Sequence, residues 1–248
     1  MKIIKYKKLK DNKYLIEFDC CSVELYEEVI LKEELLLKKE IDEKQYKKLL
    51  DENKFWQCYY KAIKYINVRS RSTLEVKNKL IKDNFNIDDV SEVINKLLQQ
   101  GYLNDSVYAN SFFNEQLITT SHGPNRIRVE MQKKGIDNSI IDDVLNLYDS
   151  NLQYEKASKI VLKVIRSNHS KSNTLLKRKI YSDLMRDGFS KSIIDKVILE
   201  QSFLDDNELK NKEYEKLKKR LSKKYEGREL EQKIKEGMFR KGFYSIYD

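Results

Sequence analysis

One corner recurs four times along this 248-residue chain, and that recurrence limits its fold more than any other feature. "KLIKDNFNIDDVSEVI" holds Asn84-Phe85, and "MQKKGIDNSIIDDV" holds Gly135-Ile136. "DLMRDGFSKSIIDKVI" holds Gly188-Phe189, and "EGMFRKGFYSIYD" holds Gly242-Phe243. The apolar anchors Phe85, Ile136, Phe189 and Phe243 are spaced by 51, 53 and 54 residues. Self-similarity at a period near fifty signals tandem structural units.

The flanking positions agree. Val76, Ile127, Ile180 and Ile234 lie nine residues before the anchors, and Leu80, Met131, Leu184 and Met238 lie five before. Such i, i+4 pairs form one apolar helix face. Val90, Ile141 and Ile194 follow by five residues, and Val93, Val144 and Val197 by eight, as on a second helix. Between the helices, Asn84, Gly135, Gly188 and Gly242 occupy the position that closes a helix in the left-handed conformation. Asn86, Asp137 and Ser190 then stand where a new helix needs an N-cap. A further stretch with helical spacing precedes each corner: 58–69, 105–118, 154–167 and 211–225.

The expected fold is therefore mainly α: tandem three-helix repeats in an elongated, curved array. The repeats are expected at 55–104, 105–150 and 151–204, with a truncated fourth at 205–248. The scarcity of turn residues, Gly 7 and Pro 1, agrees with long helices. Residues 1–54 differ. "MKIIKYKKLKDNKYLIEF" predicts two strands around an Asp11-Asn12 turn, and "SVELYEEVILKEE" and "DEKQYKKLLDEN" predict short helices.

Motifs for chemistry are missing from the sequence. No phosphate-binding glycine loop of either common kind occurs. "DNSIIDDV" lacks the alternating oxygen ligands of a calcium loop. His122 and His169 have no partners at zinc spacing and no paired nucleophile. Asp88-Asp89 and Asp142-Asp143 are expected in helix first turns, where carboxylates suit the helix dipole. No metal, cofactor or catalytic residue is expected. Cys20, Cys21 and Cys58 fit reduced thiols of the cytoplasm. No stretch approaches the roughly 18 apolar residues of a membrane span.

Charge points to binding. The net charge is +9, and 61–82, 154–188 and 207–241 each carry +6. Such patches suit a polyanionic or acidic partner touched at several points. The second helix of each corner is acidic or neutral, which disfavours a DNA-reading helix. The candidate contacts are Arg69, Arg71, Lys77, Arg126, Arg128, Lys133, Lys134, Lys177 and Arg178. Lys133 and Lys134 also have an ordinary role near a helix C-terminus.

Three stretches resemble the RecX regulatory proteins of bacteria. "RSRSTLEVKNKL" places Arg69, Ser72, Glu75 and Val76 as in that family's first repeat. "GYLNDSVYA" resembles its Gly-x-Leu-Asp-Asp-x-x-Phe-Ala signature, with Asn104 for the first Asp and Tyr108 for Phe. "GPNRIRVEMQKKGI" resembles its second-repeat pattern, with Met131 for Leu. The N-terminal segment and added C-terminal repeats resemble the longer, Gram-positive-type members. The resemblance implies a cytoplasmic, non-enzymatic, monomeric modulator that binds the RecA recombinase and its filament on single-stranded DNA. It also implies restraint of RecA's ATPase and strand exchange. A stand-alone nucleic-acid-binding protein is the alternative expectation.

Overall fold

The computed structural model describes residues 1–203 and 205–244. The ends of the third and fourth expected repeats, at 204 and 245–248, lie outside the described residues. The chain forms two compact units: 1–108 with 134–136, and 109–133 with 137–248.

The first unit begins with an antiparallel three-stranded sheet, β1 (Ile3–Lys8), β2 (Lys13–Phe18) and β3 (Ser22–Tyr26), in the order β1-β2-β3. Asp11 and Asn12 both have positive φ, 61° and 55°, as a tight hairpin turn demands. The sequence reading expected two strands. The third was hidden in "SVELYEEVILKEE", whose first five residues are β3 and whose next six are α1 (Glu27–Lys32). Pairing with β2 decides this, for Tyr14 stands opposite Leu25 and Ile16 opposite Val23.

A second correction concerns the helices expected at 42–53 and 58–69. They are one helix, α2 (Glu43–Val68), 26 residues long, and the expected boundary at 54/55 falls inside it. Asp42 and Gln45 form its capping box. Asn53 does not break the helix, because its amide serves the sheet. Its Oδ1 accepts the Tyr26 N–H at 3.0 Å and its Nδ2 donates to the Glu24 carbonyl at 2.9 Å. Ile16, Phe18, Leu25, Val29, Leu35 and Leu49 bury the sheet against α1 and α2.

The repeats follow: α3 (Thr73–Lys82), α4 (Ile87–Gln99), α5 (Asp105–Thr119), α6 (Pro124–Lys133) and α7 (Asn138–Leu145). Then come α8 (Ser150–Ser167), α9 (Asn173–Arg186), α10 (Lys191–Glu200), α11 (Asp206–Leu221) and α12 (Gly227–Arg240). In the first unit, Cys58 and Ala62 of α2 pack with Val76, Leu80, Val90, Val93 and Leu97. In the second, Ala157, Val161, Ile180, Leu184, Phe189, Ile194 and Val197 form the matching core of α8, α9 and α10. Leu209, Leu217, Ile234, Met238 and Phe243 close α11 on α12.

Asn84, Gly135, Gly188 and Gly242 have φ of 65°, 75°, 88° and 90°. Around three of them the bonds run as in a Schellman motif. Phe85 donates to the Leu80 carbonyl at 3.2 Å, Phe189 to Leu184 at 3.1 Å, and Phe243 to Met238 at 3.1 Å. Asn86, Asp137 and Ser190 each accept a backbone N–H of the helix that follows.

Candidate functional site

Three of the four corners contact the start of a second helix elsewhere in the chain. The Ser72 hydroxyl, at the start of α3, donates to the Lys134 carbonyl at 2.7 Å. The Gly123 N–H, before α6, donates to the Asp187 carbonyl at 2.7 Å, and Asn125 N–H to the Gly188 carbonyl at 3.0 Å. The Ser172 N–H, before α9, donates to the Lys241 carbonyl at 2.8 Å. These bonds satisfy helix-terminal groups that would otherwise lack partners.

A carboxylate completes two of these joints. Asp105 accepts the Thr73 N–H at 2.8 Å, and Asp206 accepts the Asn173 N–H at 2.8 Å. At the remaining joint the first helical residue is Pro124, which has no N–H to satisfy, and Ser150 stands where the others have aspartate. The second Asp of the Leu-Asp/Asn-Asp stretch is thus a cap for another helix, while Asn104 and Asp205 cap their own.

The joints absorb several of the sequence-nominated cations. Arg69, Arg71 and Lys134 converge on one oxygen of Glu75, at 3.2, 4.0 and 2.9 Å. Arg71 also lies 4.1 Å over the Tyr65 ring. Burial opposes ionisation of Glu75, but the Lys134 hydrogen bond, the Ser72 N–H and the adjacent cations outweigh it. The carboxyl is held below its ordinary 4.5. Burial, and then the Glu75 charge, push the neighbouring Tyr108 phenol up to about 12. Glu213, at the α11–α12 end, is likewise buried, and its ion pairs with Lys241 and Lys216 hold it below its ordinary range despite burial.

The other candidates separate clearly. Arg126 is half-buried, and its backbone lies against Gly188. Arg128 binds Asp142 at 2.6 Å, and Lys133 binds Glu130 at 3.1 Å. Lys177 is exposed and lies 4.8 Å over the Phe203 ring. Lys77 and Arg178 are exposed and have no ion-pair partner among the described residues.

A basic surface on α8 falls within the +6 stretch at 154–188, at residues that were not among the nominated contacts. Lys159, Lys163 and Arg166 line an open groove of about 480 Å³ with Leu162 and Ser167. All three cations are exposed, and none has an ion-pair partner among the described residues. Their i, i+4, i+7 spacing puts them on one stripe. The signal was present in the sequence: residues 156–182 contain eight Lys/Arg and no Asp or Glu. Lys156, in the same run, is structural, since its ammonium donates to the Leu117 and Thr120 carbonyls at 2.6 and 2.9 Å. His122 is half-buried, bonded through Nδ1 to Gln116 at 3.2 Å, and burial lowers its pKa. Among the described residues no His/Cys/Asp/Glu group could hold a metal, and no helix is long and apolar enough to cross a membrane.

The chain is similar to known proteins in sequence and in fold. Residues 58–97 match the model of the first three-helix domain of RecX, and 104–145 match that of the second. The regulatory protein RecX of Bacillus pumilus is 32% identical over 238 residues, covering 94% of this chain and 89% of that one. The RecX of Lactococcus lactis subsp. cremoris strain MG1363 is 32% identical over 241 residues, with the same coverage of 94% and 89%. A crystal structure of regulatory protein RecX superposes with a TM-score of 0.72 at 28% identity, covering 79% of this chain and 98% of that one. The crystal structure of RecX from Lactobacillus salivarius superposes with a TM-score of 0.56 at 35% identity, covering 59% and 96%. With both three-helix domains matched and the likeness running through nearly the whole of its relatives, this chain belongs to the RecX regulatory protein family.

Proposed function

We propose that this protein is a non-enzymatic regulator that binds the RecA recombinase on single-stranded DNA and mainly inhibits its ATPase and strand exchange. It works as a cytoplasmic monomer without a cofactor. Family membership supports the regulatory role, and the unpaired α8 stripe of Lys159, Lys163 and Arg166 is the observation that carries the mode of contact. Such cations are free to neutralise phosphates or acidic side chains without first breaking an internal ion pair. Lys77, Lys177 and Arg178 are the sequence-nominated residues that are exposed and hold no carboxylate among the described residues, and they add to it. Arg69, Arg71, Arg128, Lys133 and Lys134 serve the fold first, since each already holds a carboxylate. Several weak contacts along one filament reinforce each other through effective concentration.

The test is the single-stranded-DNA-dependent ATPase of the cognate RecA with this protein added below stoichiometry. The ATPase is expected to fall. The triple variant Lys159→Glu/Lys163→Glu/Arg166→Glu is expected to need at least about tenfold more protein, and to flatten the logarithmic salt dependence by about 2. An unchanged ATPase with the unmodified protein rejects the proposal. Equal binding to naked DNA, indifferent to RecA, assigns the stripe to a stand-alone nucleic-acid-binding role.

A further inference from the structure

The first unit carries a second open groove, of opposite sign to the chain. It has a volume of about 640 Å³ and lies among α1, α2 and α4. Phe55 and Trp56 line it, with ring centroids 5.4 Å apart at 87°. Four carboxylates, two lysines, Asn95 and Gln99 complete the lining, a net −2 in a protein whose total is +9.

Half of these charges are already matched. Glu52 holds Lys32 at 2.9 Å, and Asp51 holds Lys54 at 2.9 Å. Asp89 and Glu92 have no ion-pair partner among the described residues. Asp89 lies in the first turn of α4, where the helix dipole accounts for a carboxylate. Glu92 lies beyond that turn, four residues before Lys96, but the Lys96 ammonium is turned to the Trp56 ring and makes no ion pair with it. The indole face beside them takes a cation, for the Lys96 ammonium stands 5.0 Å over the Trp56 ring.

We infer that this groove binds a Lys/Arg-bearing peptide segment of a partner protein. A basic side chain of the segment lies on the Trp56 face, in competition with Lys96, and its neighbours meet Asp89 and Glu92. The unpaired carboxylates repel phosphate, so the site selects protein over nucleic acid. The inference concerns a different surface from the α8 stripe and stands whether or not that stripe meets a RecA filament.

Trp56 is the chain's single tryptophan, so its emission reports this groove and the cores of the first unit that it packs against. The full-length protein is titrated with a short synthetic Arg/Lys/Ala peptide, and with a Glu/Ala peptide of equal length as control. A saturable emission change is expected with the basic peptide only. Asp89→Asn/Glu92→Gln is expected to weaken it at least fivefold, and Lys96→Ala, which vacates the indole, to tighten it. The inference is overturned by no saturable change, by an equal response to the acidic peptide, or by an affinity indifferent to Asp89→Asn/Glu92→Gln. Lys96→Ala with unchanged or weaker affinity overturns it too. An emission change that follows protein concentration alone, with dimers in sedimentation, overturns it in favour of a second copy of this chain.

Discussion

The corner at Lys134-Gly135 and the corner at Asp187-Gly188 share a backbone turn but are held by different forces. The first is fastened by side chains: the Ser72 hydroxyl on the Lys134 carbonyl, the Lys134 ammonium on Glu75, and Asp105 on the Thr73 N–H. The second is fastened by main chain, Gly123 to Asp187 and Asn125 to Gly188. Two glycines make that approach possible. A methyl group on Gly188 would stand 2.3 Å from the Arg126 amide nitrogen, and one on Gly123 would stand 2.6 Å from the Gly188 carbonyl. The same corner can therefore be charge-dependent in one copy and geometry-dependent in another.

Reciprocal swaps test this most strongly. Gly123→Ser makes the second joint chemically like the first. It is expected to cost about 3 kcal/mol, because backbone atoms rather than a mobile side chain block the new Cβ. Ser72→Gly makes the first joint like the second, and is expected to cost about 1–2 kcal/mol for the two lost hydroxyl bonds, to the Lys134 carbonyl and from the Glu75 N–H. Urea unfolding of both variants gives the two numbers. Equal costs would break the distinction.

A smaller effect separates the joints at their carboxylates. Asp105→Ala leaves the Thr73 N–H without its acceptor, and is expected to cost about 1 kcal/mol. Ser150→Ala, at the joint where Pro124 has no N–H, is expected to change stability by less than about 0.5 kcal/mol. Thermal melts of the pair measure the difference. A larger loss in Ser150→Ala would show that the proline joint depends on a side chain after all.

The repeats were legible because each corner demands a residue tolerant of positive φ, and the apolar positions around it keep constant offsets. The α2 helix was not legible as one element, because the stretches 42–53 and 58–69 each carry helical spacing of their own, and the partners of the Asn53 amide at the end of the first come only from the sheet. The third strand was missed because "SVELY" runs straight into helix-forming residues, and only pairing with β2 distinguishes it. The binding residues were nominated by local net charge, which says nothing of partners distant in sequence. Lys134 and Glu75 are 59 residues apart and meet only in the fold. The α8 stripe could have been found from the run of eight Lys/Arg at 156–182 without Asp or Glu, a sign of available cations rather than of total charge.

The smallest expected effect is the pH response of the first joint. Folding holds Glu75 ionised below its ordinary 4.5, so its contribution to stability is fully present above that value. That contribution is lost as pH falls through the lower folded-state value. Glu75→Gln is expected to be less stable than the unmodified protein at neutral pH, and the two unfolding curves are expected to converge on acidification below 4.5. Glu33, Asp83, Asp137 and Glu213 also titrate below their ordinary values, so both proteins weaken in acid, and the gap between the curves isolates Glu75. Side-chain exposure of 53% at Arg69 and 32% at Lys134 leaves part of the interaction open to screening, so added salt is expected to narrow the gap at neutral pH. A gap that stays constant from neutral to acid pH would mean that shape, not charge, holds this joint as it holds the one at Gly188.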